Sequence, residues 1–392
     1  MNKNDLFDAV DKQKNDLLRM GDYICDNPEI GLKEYKASAL LSEYLRQNGY
    51  ETQLGVGGLD TAFRAEWKNG DGGPSIGLLC EYDALEGIGH GCGHHLQGPA
   101  IVGAAIALKN NLPRSMPCRI VVYGTPAEET EGGKIIMLEN GCFKDIDLAM
   151  MTHASSGGTG VDLRTMALST FSVEYKGQSS HAAIRPECGR SALDALILAF
   201  NAIEFLREHV ADDVRMHYAI TDGGMPPNAV PAHAAAQIIA RSYDRVMLEN
   251  VIERLMKILD GAALMTETTY TVKRARDIDN SIPVPELNAL LMNNAELVNA
   301  PKIAPPRKIT GSTDFGNVCY CTPGACIRVA SDGDHPAPSH SKEAAAQGKS
   351  EESHAAIIYA SKILAATAYD IASSPENLDA IRKSFNSMKA KH

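Results

Sequence analysis

The stretch that decides the fold is SIGLLCEYDALEGIGHGCGHHLQG, residues 75–98. Its first part is an apolar run typical of a buried strand, and this run ends in acidic residues. A glycine-rich loop follows, and from Leu96 the segment LQGPAIVGAAIALKNNL predicts a buried helix. Residues 87–98 carry three His and one Cys among glycines and small residues, which raises the question of what these side chains bind.

Strands and helices keep alternating beyond this stretch. CRIVVYGTPAEET (118–130) predicts a strand running into a loop, GGKIIMLENG (132–141) a helix, and DLAMMTHASSG (147–157) another strand. This alternation predicts an α/β fold with a mostly parallel sheet and helices on both faces. Polar candidate residues fall at the carboxyl ends of the strands, where such sheets bind ligands.

The pattern changes near residue 168, where strands and long helices follow in a different order. The segments are TFSVEYKG (170–177), SALDALILAFNAIEFLREHV (191–210), VRMHYAITDGG (214–224), AHAAAQIIARSYD (232–244), VMLENVIERLMKILDGAAL (246–264) and TETTYTVKRARDI (266–278). They predict the order β-α-β-β-α-β of a ferredoxin-like α+β domain. We therefore expect a catalytic domain made of residues 1–168 and 282–392, with the ferredoxin-like domain, residues 169–281, inserted into it.

The composition restricts the partners and the compartment. The chain of 392 residues has a net charge of −11, so it is expected to be repelled by nucleic acid and by anionic membranes. No segment approaches the roughly 18–20 apolar residues of a membrane span, and the charged N-terminus does not resemble a signal peptide. The nine cysteines follow no disulfide spacing. We expect a cytoplasmic protein whose cysteines are mostly core residues, with Cys92 as the candidate exception.

The first candidate site is the segment HGCGHH, residues 90–95. Thiolate and imidazole are ligands that borderline-soft metals prefer, and a flexible glycine separates Cys92 from His94. A glycine-rich turn with backbone-bonded side chains is the alternative. In the pair Glu128–Glu129, one carboxylate could bind a metal while its neighbour takes a proton from water. A solvated acidic loop is the alternative for this pair.

Two further histidines are candidates by position. His153 ends an apolar strand, and His340 lies in the polar loop DHPAPSHSKEAAAQGKS. A hydrogen-bonded strand-end histidine and a surface histidine are the ordinary interpretations. All these signals converge on strand ends of one sheet, which favours a shared metal site over separate ordinary explanations.

A family resemblance runs along nearly the whole chain. In order, EYDAL, GHGCGHH, TPAEET, MTH and KGQSSHAA resemble the amidohydrolase and carboxypeptidase family of aminoacylases. The segments NPEIGLKEYKAS, HAAIRPECGRSALDA and GSTDFGNV are similar to the branch that contains p-aminobenzoyl-glutamate hydrolase subunits and β-alanyl dipeptidases. The resemblance implies a dinuclear metallopeptidase fold, with an inserted domain that serves dimerisation and closes over the substrate.

The resemblance implies a role for each candidate of the large domain. Two divalent ions, Zn or Mn and in some relatives Co, would be held by Cys92, His94, Glu129, His153 and His340. Glu128 matches the general base, and Asp83 matches an acidic residue that orients a ligand histidine through a hydrogen bond. His95 stands where the family usually has Asp or Asn, and it could change the hydrogen bonds around the ligands or bind a metal itself.

The resemblance also assigns residues of the inserted domain. His181 matches a histidine that crosses a dimer interface to the oxyanion, and Asn228 matches a second donor near the scissile carbonyl. Arg241 matches an arginine that pairs with the substrate carboxylate, and Arg185, a departure from the family pattern, could add to anion recognition. Taken alone, His181 could cap a turn, Asn228 could shape one, and Arg241 could be an exposed strand residue.

The leading hypothesis is a metal-dependent hydrolase, active as a homodimer. It would cleave the amide bond of an N-acyl or N-aminobenzoyl amino acid or of an unusual dipeptide, with Glu128 taking a proton from the attacking water. Two alternatives stay open: the same site could act as an aromatic-amine deaminase, or the chain could be a non-catalytic metal-binding subunit. The sequence does not identify the substrate.

Overall fold

The computed structural model describes residues 2–224, 226–333 and 336–391. The helices are α1 (Lys3–Asp26), α2 (Tyr35–Gln47), α3 (Gln97–Asn111), α4 (Gly133–Glu139), α5 (Ala192–Arg207), α6 (Arg245–Thr266), α7 (Pro285–Leu297), α8 (Phe315–Cys321), α9 (Lys342–Ala346), α10 (Glu351–Ser373) and α11 (Pro375–Lys389). The strands are β1 (Glu51–Leu54), β2 (Phe63–Asn69), β3 (Ser75–Cys80), β4 (Cys118–Gly124), β5 (Leu148–Ser155), β6 (Gly160–Val161), β7 (Ala167–Lys176), β8 (Arg215–Asp222), β9 (His233–Ser242), β10 (Thr269–Ile278) and β11 (Gly324–Ala330). One compact unit comprises the residues up to Arg164 together with Ser281–Lys391, and the other comprises Thr165–Asn280.

The first unit is built on a seven-stranded sheet with strand order β1-β2-β4-β3-β5-β11-β6. The strands β4, β3, β5 and β11 are parallel to one another, and the antiparallel strands β1, β2 and β6 lie toward the two edges. Every residue of β3 is buried, as expected of a parallel strand that is covered by helices on both faces. The prediction of a mostly parallel sheet is therefore confirmed.

Helices cover both faces of this sheet and form two separate apolar cores. On one face α1, α3 and α10 pack against each other. Gly103 of α3 permits the close approach of α1, because a Cβ at this position would lie 2.6 Å from Leu17 Cδ1. On the other face the core includes residues of α4 and α8 together with Leu79 and Val121. The ends of β3, β4 and β5 are thus held by packing from both sides.

The second unit carries a four-stranded antiparallel sheet with strand order β10-β7-β9-β8. Buried residues alternate with more exposed ones along β7 and β9, the pattern of a sheet with one covered face. Helices α5 and α6 share one apolar core with these strands. The order β7-α5-β8-β9-α6-β10 is the ferredoxin-like arrangement expected from the sequence. Because β7 begins at Ala167, it starts before the domain boundary expected at 168/169.

The C-terminal Ala-rich segment forms two helices. α10 ends at Ser373 and α11 begins at Pro375, because a proline ring cannot continue the hydrogen bonds of the preceding turn. Among the described helices, α10 is the one long and apolar enough to cross a membrane, but 67% of its most apolar window is buried inside the protein. Such burial is typical of a core helix.

Candidate metal centre

Asp83 contacts two of the candidate ligand residues, His94 just before α3 and Glu129 in the loop after β4. Gly93, with φ of +78°, precedes His94, and a Cβ at Gly93 would lie 2.4 Å from Ala154 Cβ, so glycine is required there. Asp83 Oδ1 lies 3.0 Å from His94 Nδ1, and Asp83 Oδ2 accepts a hydrogen bond from the backbone N–H of Glu129 at 2.9 Å. One buried carboxylate thus sets the position of both a histidine and a glutamate.

The structure brings together the five side chains that the sequence singled out as candidate ligands. Cys92 Sγ lies 3.5 Å from His153 Nε2. Glu129 Oε1 lies 4.0 Å from His94 Nε2 and 3.4 Å from His340 Nε2. In each of three overlapping groups the donor atoms lie within 4.8 Å of one another: Cys92, His94 and His153; Cys92, Glu129 and His340; His94, Glu128 and Glu129. Since the groups share members, the cluster could hold more than one ion.

Two atoms of this cluster are buried without hydrogen bonds. Neither His94 Nε2 nor Glu129 Oε1 makes a hydrogen bond to any described residue, although both atoms are shielded from solvent. Buried polar atoms that make no hydrogen bond cost free energy, and a bound cation would interact favourably with both. The donor set of sulfur, imidazole and carboxylate suits a borderline-soft divalent ion. The residues present therefore fit a metal centre.

His340 reaches the cluster from a strained loop. Its φ is +64°, a left-handed conformation that side chains other than glycine rarely adopt. The backbone N–H of His340 donates to the carbonyl oxygen of Gly91 at 3.1 Å, and the imidazole is half exposed. Backbone strain of this kind is found at functional positions more often than elsewhere, so it favours a functional role for His340.

Next to Glu128 lies a buried cluster of charged residues, Glu81, Lys134 and Asp314, that was not predicted from the sequence. Lys134 is fully buried, and its Nζ contacts Glu81 Oε1 at 2.5 Å and Asp314 Oδ1 at 2.7 Å. Carboxylate atoms of Glu81, Glu128 and Asp314 lie within 4.8 Å of one another. One ammonium group cannot neutralise three carboxylates. Burial and the charges of Glu81 and Asp314 accordingly raise the pKa of Glu128 to about 8, a value that suits a proton acceptor working near neutral pH.

Glu34 is a second buried residue that the sequence analysis missed, because it precedes a helix in a charged, solvated-looking segment. It is fully buried and accepts hydrogen bonds from Ala127 N and Thr61 Oγ1, both at 2.8 Å. Ala127 has a φ of +58° and directly precedes Glu128. Glu34 therefore stabilises the strained turn that carries the candidate base.

His95 is not part of the metal-binding cluster. Its Nε2–H donates to the carbonyl oxygen of Gly348 at 2.8 Å, and burial lowers the pKa of His95 to about 4, so the ring is neutral. Within the described part of the chain, His95 belongs to none of the groups that could hold a metal. The structure thus favours a hydrogen bond to the C-terminal segment over a ligand role for this residue.

In the second unit, His181 and Asn228 lie together, whereas Arg241 lies elsewhere. Ala182 N donates a hydrogen bond to the carbonyl oxygen of Asn228 at 2.9 Å, and His181 pairs with Ala229. Both side chains are exposed. This pairing is close to the start of β9, but Arg241 is near the end of that strand. At about 3.3 Å per residue, β9 runs roughly 26 Å from its first residue, His233, to Arg241.

Arg185 lies on an exposed turn of the second unit. Its side chain is 71% exposed, and Glu187 is its carboxylate neighbour at 3.7 Å. An exposed pair of this kind contributes little to stability. Among the described residues, Arg185 therefore makes no contact that would assign it to an anion site.

Comparisons with known sequences agree with this geometry. Residues 74–365 match the model of peptidase family M20/M25/M40. The chain is 33% identical to the Xaa-Arg dipeptidase of Homo sapiens, over 96% of this chain and 90% of the relative. It is 30% identical to a p-aminobenzoyl-glutamate hydrolase subunit of Escherichia coli strain K12, over 93% of this chain and 90% of the relative.

Solved structures share the fold. The aminobenzoyl-glutamate utilization protein from Klebsiella pneumoniae has a TM-score of 0.72 at 20% identity, covering 93% of this chain and 98% of that chain. A dinuclear metal-binding M20 peptidase from Bacillus subtilis has a TM-score of 0.69 at 17% identity, covering 91% and 98%. By class the protein is a metal-dependent amide hydrolase. It belongs to peptidase family M20/M25/M40, which confirms the resemblance inferred from its motifs.

Proposed function

We propose that the protein hydrolyses the amide bond of an N-acyl or N-aminobenzoyl amino acid, or of a dipeptide, at a centre of two divalent cations. One observation carries the proposal: five ligand side chains converge beside the candidate base Glu128. The ligands are Cys92, His94, Glu129, His153 and His340. The names of the relatives, a dipeptidase and an aminobenzoyl-glutamate hydrolase subunit, support this substrate range. The thiolate favours zinc, and manganese or cobalt also suit the histidines and the carboxylate.

Each proposed residue has a role that its surroundings support. Divalent ions, when bound, would polarise the scissile carbonyl and lower the pKa of water at the site. Glu128 takes a proton from the attacking water and delivers it to the leaving amine. Asp83 holds the His94 ring so that Nε2 is available to a ligand. His181 and Asn228 donate hydrogen bonds to the oxyanion, whose charge develops only in the transition state.

A homodimer explains how His181 and Arg241 can act on one substrate. Arg241 lies roughly 26 Å along β9 from the strand end near which His181 pairs with Ala229. This length is more than a small acyl amino acid can span. In a twofold dimer, His181 of one copy can reach the substrate whose carboxylate is bound by Arg241 of the other. We therefore assign the oxyanion donors and Arg241 of one active site to different chains.

Mixing two inactive variants tests whether His181 acts on the active site of the other chain. His181→Ala alone is expected to lower turnover by about 10²–10³-fold, the usual effect of losing an oxyanion donor. In a random mixture with Glu128→Gln, half of the dimers are mixed and one of their two sites is complete, so about a quarter of native activity should return. His217→Ala, on the exposed part of β8, serves as the matched control and should be active alone. If mixed dimers are shown to form but have no activity, the proposal that His181 acts across the dimer is contradicted.

Metal binding is expected to release protons. Burial raises the pKa of the Cys92 thiol to about 11, and burial with the charges of Glu81 and Asp314 raises that of Glu128 to about 8. At pH 7 both groups therefore hold protons in the metal-free protein, and cations favour their ionised forms, so metal affinity should rise with pH. Titration calorimetry with Zn²⁺ in two buffers of different ionisation enthalpy measures the release. Glu128→Gln should release about one proton fewer, and equal release would show that Glu128 is already ionised.

The compartment is proposed from the cysteines. The nine cysteines all fall within the described residues and are free thiols. Free thiols persist in the reducing cytosol, whereas secreted proteins usually pair them. We therefore propose a cytoplasmic location.

Turnover of the metal-reconstituted protein on a mixed panel tests the proposed reaction. The panel holds N-acetyl amino acids, dipeptides, p-aminobenzoyl-glutamate and aryl amines, and mass spectrometry identifies the products. Cleavage of an amide that disappears on chelation and returns with metal is the expected result. Release of ammonia from an amine, without amide cleavage, would replace the proposal with a deaminase. A metal-loaded protein that is inactive on the whole panel would favour the non-catalytic alternative.

A further inference from the structure

The first unit contains a cavity beside His153 whose charged side chains the proposed function does not use. Its volume is about 240 Å³. Its polar lining comes from Ser155, Ser156, Arg307, Arg328 and Ser339. Among the described residues, the lining includes two arginines and no acidic side chain. The described lining is therefore basic, in contrast to a chain with a net charge of −11.

Arg307 and Arg328 share a single carboxylate, that of Asp162. Arg307 Nε donates to Asp162 Oδ1 at 2.6 Å, and Arg328 Nε donates to Asp162 Oδ2 at 2.9 Å. Two guanidinium groups on one carboxylate leave one positive charge in excess. Within the described part of the chain, both terminal amino groups of Arg307 and Nη2 of Arg328 make no hydrogen bond, so these N–H groups can bind a ligand.

The backbone holds both arginines in place. Arg307 pairs with Asp162 in a parallel bridge, and its N–H donates to Val161 O at 3.0 Å. Arg328 of β11 is in register with His153 of β5, and Arg328 Nη1 lies 2.9 Å from His153 Nδ1. Donors fixed in this way lose little conformational entropy on binding. The cavity also borders a second one that is lined by Cys92, since the two share Ala154 and Ser339, and Arg328 contacts the candidate ligand His153.

We propose that this cavity is a subsite for a carboxylate of the substrate's side chain, bound by Arg307 and Arg328, whereas Arg241 is assigned to the α-carboxylate. The proposal rests on the proposed function, since the carboxylate belongs to the amide that is hydrolysed beside His153. A guanidinium group matches a carboxylate with two parallel hydrogen bonds, and the excess positive charge repels basic side chains. The protein is accordingly selective for acid-bearing substrates over basic ones.

Arg307→Gln tests the subsite by binding instead of turnover. The variant is made in metal-loaded Glu128→Gln protein, and Asp162 keeps Arg328 as its partner, so the fold should be retained. Calorimetry with N-acetyl-glutamate should show binding weakened about 10- to 100-fold, the usual effect of losing a charge-assisted contact. N-acetyl-arginine should bind weakly both to the parent Glu128→Gln protein and to the Arg307→Gln variant. Arg307→Lys should keep part of the affinity for N-acetyl-glutamate, because the positive charge is retained.

Arg382→Gln is the matched control. Its side chain is 48% exposed and contacts Asp147 at 2.5 Å, and that of Arg307 is 42% exposed and contacts Asp162 at 2.6 Å. Arg382→Gln should bind N-acetyl-glutamate as tightly as the parent protein. An equal loss of affinity in Arg382→Gln would overturn the subsite, because the loss would then come from charge removal in general.

Two further ligands identify which carboxylate is bound. N-acetyl-glutamine keeps only the α-carboxylate, and the α-amide of N-acetyl-glutamate keeps only the side-chain carboxylate. The α-amide should lose affinity in Arg307→Gln, and a loss confined to N-acetyl-glutamine would overturn the assignment to the side-chain carboxylate. Unchanged affinity for every acid, or no binding of any acid by the parent protein, would overturn the proposal. Hydrolysis of these ligands by the Glu128→Gln parent would instead overturn the base assignment and leave the subsite standing.

Discussion

Glu128→Gln is expected to lower turnover by about 10²–10⁴-fold while the fold and the metal content stay unchanged. Glutamine has nearly the shape of glutamate but cannot accept the proton of the attacking water. The carboxylate lies within 4.8 Å of donor atoms of His94 and Glu129, so it is close enough to act on water at the ligand cluster. The measurement is kcat on the substrate found by the panel, with metal analysis of the same preparation.

The same substitution should stabilise the metal-free protein at pH 7 to 8. The pKa of Glu128 is about 8 in the folded state, against about 4.3 in an unfolded chain. Between these values the folded state binds more protons, so its stability falls as the pH rises. The glutamine side chain does not titrate, so the melting temperature of the variant should exceed that of the native protein at pH 8 and equal it near pH 4.

Glu131→Gln is the matched control for both measurements. Glu131 is an exposed carboxylate in the same loop. Its replacement should change neither turnover nor the pH dependence of melting. A Glu128→Gln protein that retains more than a tenth of native kcat would contradict the base assignment. Loss of metal from that variant would show that Glu128 is a ligand instead.

Lys134→Met is expected to lower the free energy of unfolding by about 3–5 kcal/mol at pH 7.5. The ammonium group is fully buried and contacts Glu81 and Asp314, which are buried as well. Methionine fills much of the same space but removes the positive charge, so two carboxylates are left in the core without a counter-ion. Urea unfolding of the metal-free protein measures the loss.

Two comparisons separate the effect of charge from that of packing. Lys362→Met removes a lysine that pairs with the more exposed Asp11, and it should cost less than about 1 kcal/mol. In Lys134→Met the unpaired carboxylates have raised pKa values, so stability should recover as the pH falls toward about 5 and they take up protons. A loss below about 1 kcal/mol, or one that does not change with pH, would contradict the role of Lys134 as a counter-ion.

Much of the fold could be predicted from local sequence. The apolar runs at 75–80 and 118–124 and the buried helix at 97–111 correspond to β3, β4 and α3. The order of elements in the second unit was also predictable, because period-2 strands alternate with long amphipathic helices. The break between α10 and α11 also has a local signal in the sequence, Pro375.

The candidate ligands could be singled out because their residue types are unusual at strand ends. The buried groups around them could not be predicted so well. Glu81 stands two residues before Asp83 at the end of an apolar strand, which was a usable signal. Its partner Lys134 follows two glycines in another segment, and the sequence does not show that the two side chains meet.

By itself, the sequence determined the α/β architecture, the ferredoxin-like unit and the residue types of the metal centre, because periodicity and ligand chemistry are local properties. Only the tertiary structure decided which charges meet. In the folded chain Lys134 contacts Glu81 and Asp314. Arg307 and Arg328 both contact Asp162, and His95 donates a hydrogen bond to Gly348. These contacts join residues far apart in the chain. Their energies depend on burial and on distances of a few ångströms, which no local pattern specifies.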